Sequence, residues 1–473
     1  MYRDSRNLTV TVSSPATIEL LNAAVDSYLG LRKDVADRTA ALVAKDPECP
    51  LAQCLSGYVK MHAGKPEAAA EAAQALKRAK QSVATRRETL HVEALEAWLN
   101  GDLVGALSRW EEILAEHPTD ILAIRLAQFI TSYLGRSRDI RDSVVRVLPA
   151  WDPAMPGYGF LLGCLAYGFE EAGEYESAER FGRAAMERNP EDLWASHAVA
   201  HVMEMQCRPH DGIEWIETGE KKWRECGNFL RHLWWHVCLF HLTLRGYDRV
   251  LELYDGKVRA ESTDEYLDIA NAAALLWRVE QCGISVGERW DELAARAQTH
   301  IHDHLFVFAD LHYVLAVAAG SARTTVAAFL NSCSKYARIE NRTEAQVMKQ
   351  VGLAIAEATV AHRNHDYSRA ADLLFPVKDS IFRVGGSHAQ RDLFEQMLID
   401  STIRSQRFLV TRNLLAERIA KRPRDLWAWR HLASVCEALQ DGQNGLVARS
   451  EINKLLAADA GGADGADIES GNR

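Results

Sequence analysis

With 473 residues, 48% of them hydrophobic, the chain can bury a large core and exceeds the size of one ordinary domain. Its net charge of -10 and scattered basic residues argue against a nucleic-acid partner. No apolar run of about 18 residues offers a membrane span, and Met1-Tyr-Arg-Asp-Ser-Arg-Asn7 leads into no apolar leader segment, so no membrane partner is expected.

Only 12 prolines and 29 glycines interrupt long stretches rich in Ala, Leu, Glu and Arg, and no alternating strand pattern stands out. The expected fold is all-α. The 9 cysteines are odd in number and form no CxxC pair, which suits reduced, mostly buried thiols and a cytoplasmic protein.

In chain order, residues 1–14 read as an N-terminal extension and residues 15–455 as one run of paired helices. Thr85-Arg-Arg-Glu88, Ser262-Thr-Asp-Glu265 and Ser387-His-Ala-Gln390 have capping-box spacing and predict helix starts. Ala94, Gly101, Ala106, Trp110 and Pro118 follow the tetratricopeptide pattern of about 34 residues. Leu162, Leu165-Ala166, Phe169, Gly173, Ala178, Ala185 and Pro190 follow it more closely, with Gly182 where an aromatic is usual. Trp235, Gly246 and Tyr254 outline another unit, and His365-Asp-Tyr-Ser-Arg-Ala370 a further one. The stretch 281–341 fits the repeat poorly, and Pro423, Trp427, Trp429 and Gly442 mark a late or capping unit. Together these predict a tetratricopeptide-like α/α superhelix, a helical repeat solenoid. Residues 456–473, rich in Gly, Ala and Asp, are expected to be a disordered tail.

His197, His201 and Glu204 recur at helical spacing and form one polar stripe on an otherwise apolar helix. His232 and His236 repeat the spacing of four on the next unit. If Pro190 closes a unit, the next begins at Leu193, and Trp194, His197, His201, Glu204 and Met205 all face the concave groove. The same count brings Phe160, Tyr167 and Glu170 there from the preceding unit, His91 from an earlier one, and His236 from the following one. His201, Glu204 and His236 are therefore the expected centre. The expected lining is Trp194, His197, His232, Tyr167, Glu170, Asp310, Arg391 and His91.

At these residues the sequence resembles the tetratricopeptide repeat protein 38 family. The shared stretches are Arg86-Arg-Glu-Thr-Leu-His91, His117-Pro-Thr-Asp120, Arg141-Asp-Ser143, Val199-Ala-His-Val-Met-Glu-Met205, His232-Leu-Trp-Trp-His236, Val286-Gly-Glu-Arg-Trp290, Asp310-Leu-His312 and Gly385-Gly-Ser-His-Ala-Gln-Arg-Asp392. They run in order from about residue 15 to 420. The resemblance implies a compact, curved helical solenoid and supplies no biochemical activity.

Three chemistries fit the polar stripe. His197, His201, Glu204, His232 and His236 could hold a divalent metal, as helical bundles do, although the zincin motif is absent because Ala198 follows His197. A metal-free, hydrolase-type acid/base site is the second, with His201, Glu204 and His236 carrying protons and Cys207 a conceivable nucleophile. The last is a binding groove for a small molecule or peptide terminus, or a protein–protein scaffold, with Arg391 clamping a carboxylate. Ser387 reads as a helix cap rather than a nucleophile. The His/Glu/Trp composition favours a closed small-molecule pocket. A homo-oligomer is compatible with all of these.

Overall fold

The computed structural model describes residues 1–466, with side chains to residue 457. Antiparallel helices follow one another in pairs. They are α1 (Pro15–Leu29) with α2 (Val35–Lys45), α3 (Pro50–His62) with α4 (Pro66–Ser82), and α5 (Arg86–Leu99) with α6 (Leu103–Glu116). Next come α7 (Ile121–Tyr133) with α8 (Ser137–Val147), α9 (Tyr158–Glu171) with α10 (Tyr175–Arg188), and α11 (Leu193–Met205) with α12 (Pro209–Gly219). The series continues with α13 (Phe229–Thr243) and α14 (Tyr247–Leu253), α15 (Tyr266–Gln281) and α16 (Arg289–Ala297), and α17 (Val307–Gly320) and α18 (Arg323–Tyr336). A π turn at Met348–Gly352 splits the next first helix into α19 (Thr343–Val347) and α20 (Leu353–Arg363), which packs on α21 (Tyr367–Leu374). The last pairs are α22 (His388–Arg404) with α23 (Phe408–Lys421) and α24 (Leu426–Ala438) with α25 (Gly442–Ala466). The fold is the all-α, tetratricopeptide-like superhelix that the repeat pattern predicts.

Helix starts are written into the sequence. Pro118-Thr-Asp120, Pro190-Glu-Asp192 and Pro423-Arg-Asp425 share one device: proline ends the preceding helix and a buried aspartate caps the next. The three carboxylates accept from Ala123 N at 3.0 Å, Ala195 N at 3.0 Å and Ala428 N at 3.1 Å. Thr85 and Ser387 form reciprocal capping boxes with Glu88 and Gln390. Ser262 does not, because α15 starts after Glu265 and Thr263 bonds Asp268 instead (2.5 Å). Gly182 lets α10 lie directly on α11, since a Cβ there would collide with the Val199 side chain.

Residues 281–341, which fit the repeat poorly, still form paired helices. The N-terminal segment is an antiparallel ribbon of β1 (Tyr2–Arg3) and β2 (Thr9–Val10). It is pinned by Arg6 to Asp26 (2.8 Å) and by Thr11 to Glu88 (2.9 Å). α25 continues through Ala466, past the point where the tail was expected to begin. Residues 467–473 of that expected tail lie outside the described residues. No described helix is long and apolar enough to cross a membrane.

The superhelix closes on itself. His388 at the start of α22 bonds the end of α9 (Nε2 to Glu171 O, 3.0 Å), and Arg422 after α23 reaches Glu204 at the end of α11 (3.3 Å). Arg278 on α15 donates to Ala389 O on α22 (2.9 Å). Late units therefore roof the concave face of the middle ones.

Candidate functional site

α11 and α13 are first helices of successive units, both largely apolar, and each turns a pair of histidines to the other. The four imidazoles meet there. Ring centroids are 4.1 Å apart for His197–His201, 4.6 Å for His201–His236, 4.8 Å for His232–His236 and 4.9 Å for His197–His232. One nitrogen from each lies within 4.8 Å of those of the other three. All are buried, His201 and His236 completely (0%). Burial, then the neighbouring imidazoles, holds His197 and His236 well below the ordinary imidazole range and His232 at about 3. These rings are neutral at physiological pH and present lone pairs.

Surrounding groups orient them. His201 Nδ1 faces Glu170 Oε2 on α9 at 3.3 Å, and His232 Nδ1 faces Asn271 Oδ1 on α15 at 3.1 Å. Since both oxygens accept, Nδ1 is the donor in both rings and Nε2 turns inward. His232 Nε2 and His197 Nε2 lie 3.0 Å apart. His197 Nδ1, His201 Nε2, both nitrogens of His236 and Glu170 Oε1 are buried without a protein hydrogen-bond partner. Each such group costs roughly 1–3 kcal/mol in a closed fold. Tyr167, Trp194 and Phe229 wall the cluster, and Trp235 stacks on His232 at 5.2 Å.

The other expected site residues separate from this centre. Glu204 is not among the groups that converge with the histidines and pairs instead with Arg422 of the roof (3.3 Å). Glu170 is the carboxylate at the cluster. Arg391 pairs with buried Glu171 (3.2 Å) and bonds Gly386 O, so it ties α22 to α9. His91 joins Asp120, Arg87 and Tyr58 in a buried network of its own. There, against burial, the Arg87 guanidinium holds the Asp120 carboxyl well below the usual range. Asp310 bonds His304 (3.1 Å) in a third place, with burial pushing its carboxyl up. Cys207 lies by Arg422, and burial pushes its thiol up to about 11, unlike an activated nucleophile.

A cavity of about 410 Å³ opens beside the cluster, under the roof. None of the four histidines lines it, whereas Glu204, Leu239 and Arg278 do. Its aromatic wall is Tyr247, Trp277 and Trp427, and it is lined by five arginines, Arg245, Arg278, Arg418, Arg422 and Arg430, against four carboxylates, Glu204, Asp392, Asp400 and Asp425. Arg418 is held by Asp392 and Asp425, and Arg422 by Glu204. Among the described residues, Arg245, Arg278 and Arg430 have no carboxylate within ion-pair distance. Arg278 donates only to the carbonyls of Ala274 (3.2 Å) and Ala389 and sits over Trp235 at 5.6 Å. Burial brings it down to about 10. Burial and then Arg245 lower Arg430. The sequence reading missed these residues. Asn271 and Arg278 interrupt the apolar α15 seven residues apart, the same kind of signal that exposed the histidine stripe.

No family model matches the chain. Human IFIT1, solved as a dimer with m7Gppp-AAAA, is 14% identical over 95% of this chain and 96% of its own, with a TM-score of 0.41. Its complex with PPP-AAAA gives 12% identity, coverage of 94% and 96%, and a TM-score of 0.40. Naa15/Naa10 bound to HypK-THB gives 13% identity over 94% of this chain and 76% of the other, with a TM-score of 0.24. The expected exclusion of nucleic acid is corrected here. IFIT1, to which this chain is similar, is solved with m7Gppp-AAAA, and that exclusion is withdrawn.

Proposed function

We propose that this protein is a ligand-binding solenoid whose roofed concave cavity takes a small anionic molecule with a planar or apolar body. The observation that carries the reading is Arg278, a buried guanidinium that lines the cavity with no carboxylate within ion-pair distance, joined there by half-buried Arg430 and exposed Arg245. A buried cation kept without a counter-charge is costly unless function uses it, and guanidinium matches carboxylate and phosphate geometry. The volume of about 410 Å³ lies within the roughly 300–1,000 Å³ usual for small-molecule sites, and Tyr247, Trp277 and Trp427 suit a flat body. Membership of the tetratricopeptide repeat protein 38 family fits the shared stretches quoted above, and the solenoid supplies the scaffold.

Calorimetric titration with aromatic carboxylates and phosphate monoesters, nucleotides included, tests this against uncharged amides of the same size. Saturable binding of an anion is expected, lost in the amide and weakened roughly 30-fold or more in Arg278→Met, equivalent to about 2 kcal/mol. Binding that ignores both changes, or no binding across the panel, overturns the reading.

A further inference from the structure

We infer that His197, His201, His232 and His236 form a closed centre for one divalent late first-row metal ion, with zinc the best match, that staples α11 to α13. The inference does not depend on the anion cavity, because different residues and a different chemistry carry it.

Four imidazoles converge from two helices, and every ring has at least one nitrogen free of protein partners or facing another ring's nitrogen. A tetrahedral zinc–imidazole centre has Zn–N near 2.0–2.1 Å, which sets its nitrogens roughly 3.4 Å apart. The four ligand atoms already lie within 4.8 Å of one another, one pair at 3.0 Å, so small ring rotations reach that geometry.

The groups behind the rings are those a metal centre uses. A ligating histidine gives its second N–H to a carboxylate or carbonyl, which fixes the tautomer and raises basicity. Glu170 does this for His201, and Asn271 for His232. Glu170 is fully buried and has one oxygen without a partner, so a carboxyl group stands directly behind the ligand set. Hard cations such as magnesium prefer oxygen ligands and would be refused, whereas imidazole suits zinc, copper, nickel and iron. Since none of the four histidines reaches the cavity and none is more than 3% exposed, the ion has no open position toward a substrate. Its role is to hold two repeat units together, and loading accompanies folding.

The test uses the full chain. Protein purified without added metal is assayed by plasma mass spectrometry, then unfolded in urea with a chelator and refolded with Zn²⁺, Co²⁺, Mg²⁺ or no metal. One equivalent of transition metal per chain is expected. So are a higher unfolding temperature with Zn²⁺ but not Mg²⁺, and a tetrahedral Co²⁺ absorption spectrum. His201→Ala and His236→Ala should lose the metal. Glu170→Gln should retain the four nitrogens and bind Zn²⁺ about 10–100-fold more weakly. If the alanine variants do not fold, the refolded wild-type chain decides alone. Refolded protein whose unfolding temperature ignores Zn²⁺ and which retains no metal overturns the proposal, and the cluster is then a metal-free imidazole network.

Discussion

Arg278 separates a binding group from a strut, because the two roles predict different sizes of stability loss on its removal. Burial brings its guanidinium down to about 10, and at about 1.36 kcal/mol per tenfold change in proton affinity the folded state bears about 3 kcal/mol for keeping it charged. Arg278→Met keeps the length and apolar contact of the side chain and removes that cost. It also removes the bonds to Ala274 O and Ala389 O, worth roughly 1.5–3 kcal/mol each when the donor is charged. The two effects offset each other. We expect the ligand-free variant to lie roughly 0–3 kcal/mol below wild type, while anion affinity falls roughly 30-fold. Urea unfolding of extensively dialysed protein gives the first quantity and calorimetry the second. A loss of 4 kcal/mol or more, on the scale of breaking a buried ion pair, would make Arg278 a strut and refute the reasoning.

Burial pushes Glu344 up to about 8, and its one bonded oxygen accepts from Val307 N at 2.6 Å. The folded chain therefore binds a proton that the unfolded chain releases, and stability should fall as pH rises from about 4.5 to 8. Glu344→Gln should flatten that dependence, gaining about 3 kcal/mol on wild type between pH 5 and pH 8.5 in paired urea titrations; parallel profiles would sink the idea. Arg391→Met leaves Glu171 buried without its arginine and should cost about 3–5 kcal/mol, read as a drop in unfolding temperature. Gly182→Val should destabilise by at least about 1–3 kcal/mol, because the new side chain strikes Val199, and a neutral result would mean that α10 can shift freely.

Local features of the site were legible in the sequence, and long-range ones were not. Spacings of four on two apolar helices place His197, His201, His232 and His236 on facing stripes, and repeat register sets those helices side by side. The accompanying carboxylate is another matter. Glu204 and Glu170 both fall on groove-facing positions, and the choice between them is made by Arg422, which reaches Glu204 from 218 residues away. The small rotation between units brings Arg422 there, and it accumulates over the whole superhelix without a mark in any one repeat. Arg391 shows the same limit from the other side. Its partner Glu171 lies 220 residues earlier, so its sequence neighbourhood suggested a clamp for a ligand. The Pro-x-Asp caps, by contrast, act within a few residues and could be read directly.

The cluster and the cavity share a wall, which gives the arrangement its mechanical sense. α13 carries His232 and His236 on one face and Leu239 on the turn that lines the cavity. Trp235 lies between His232, stacked at 5.2 Å, and the Arg278 guanidinium at 5.6 Å. A displacement of α13 relative to α11 therefore moves both the ring that supports Arg278 and the apolar floor of the cavity. Interfaces between repeat units are the natural places for such sliding, since each unit contacts only its neighbours. A metal bridge at this interface would remove that freedom where Arg278 must hold its place. The metal-loaded chain should then bind the anion more tightly than the metal-free chain, although the ion touches no ligand. Calorimetry on the two refolded forms reads this directly: equal affinities would show that the cluster and the cavity act independently.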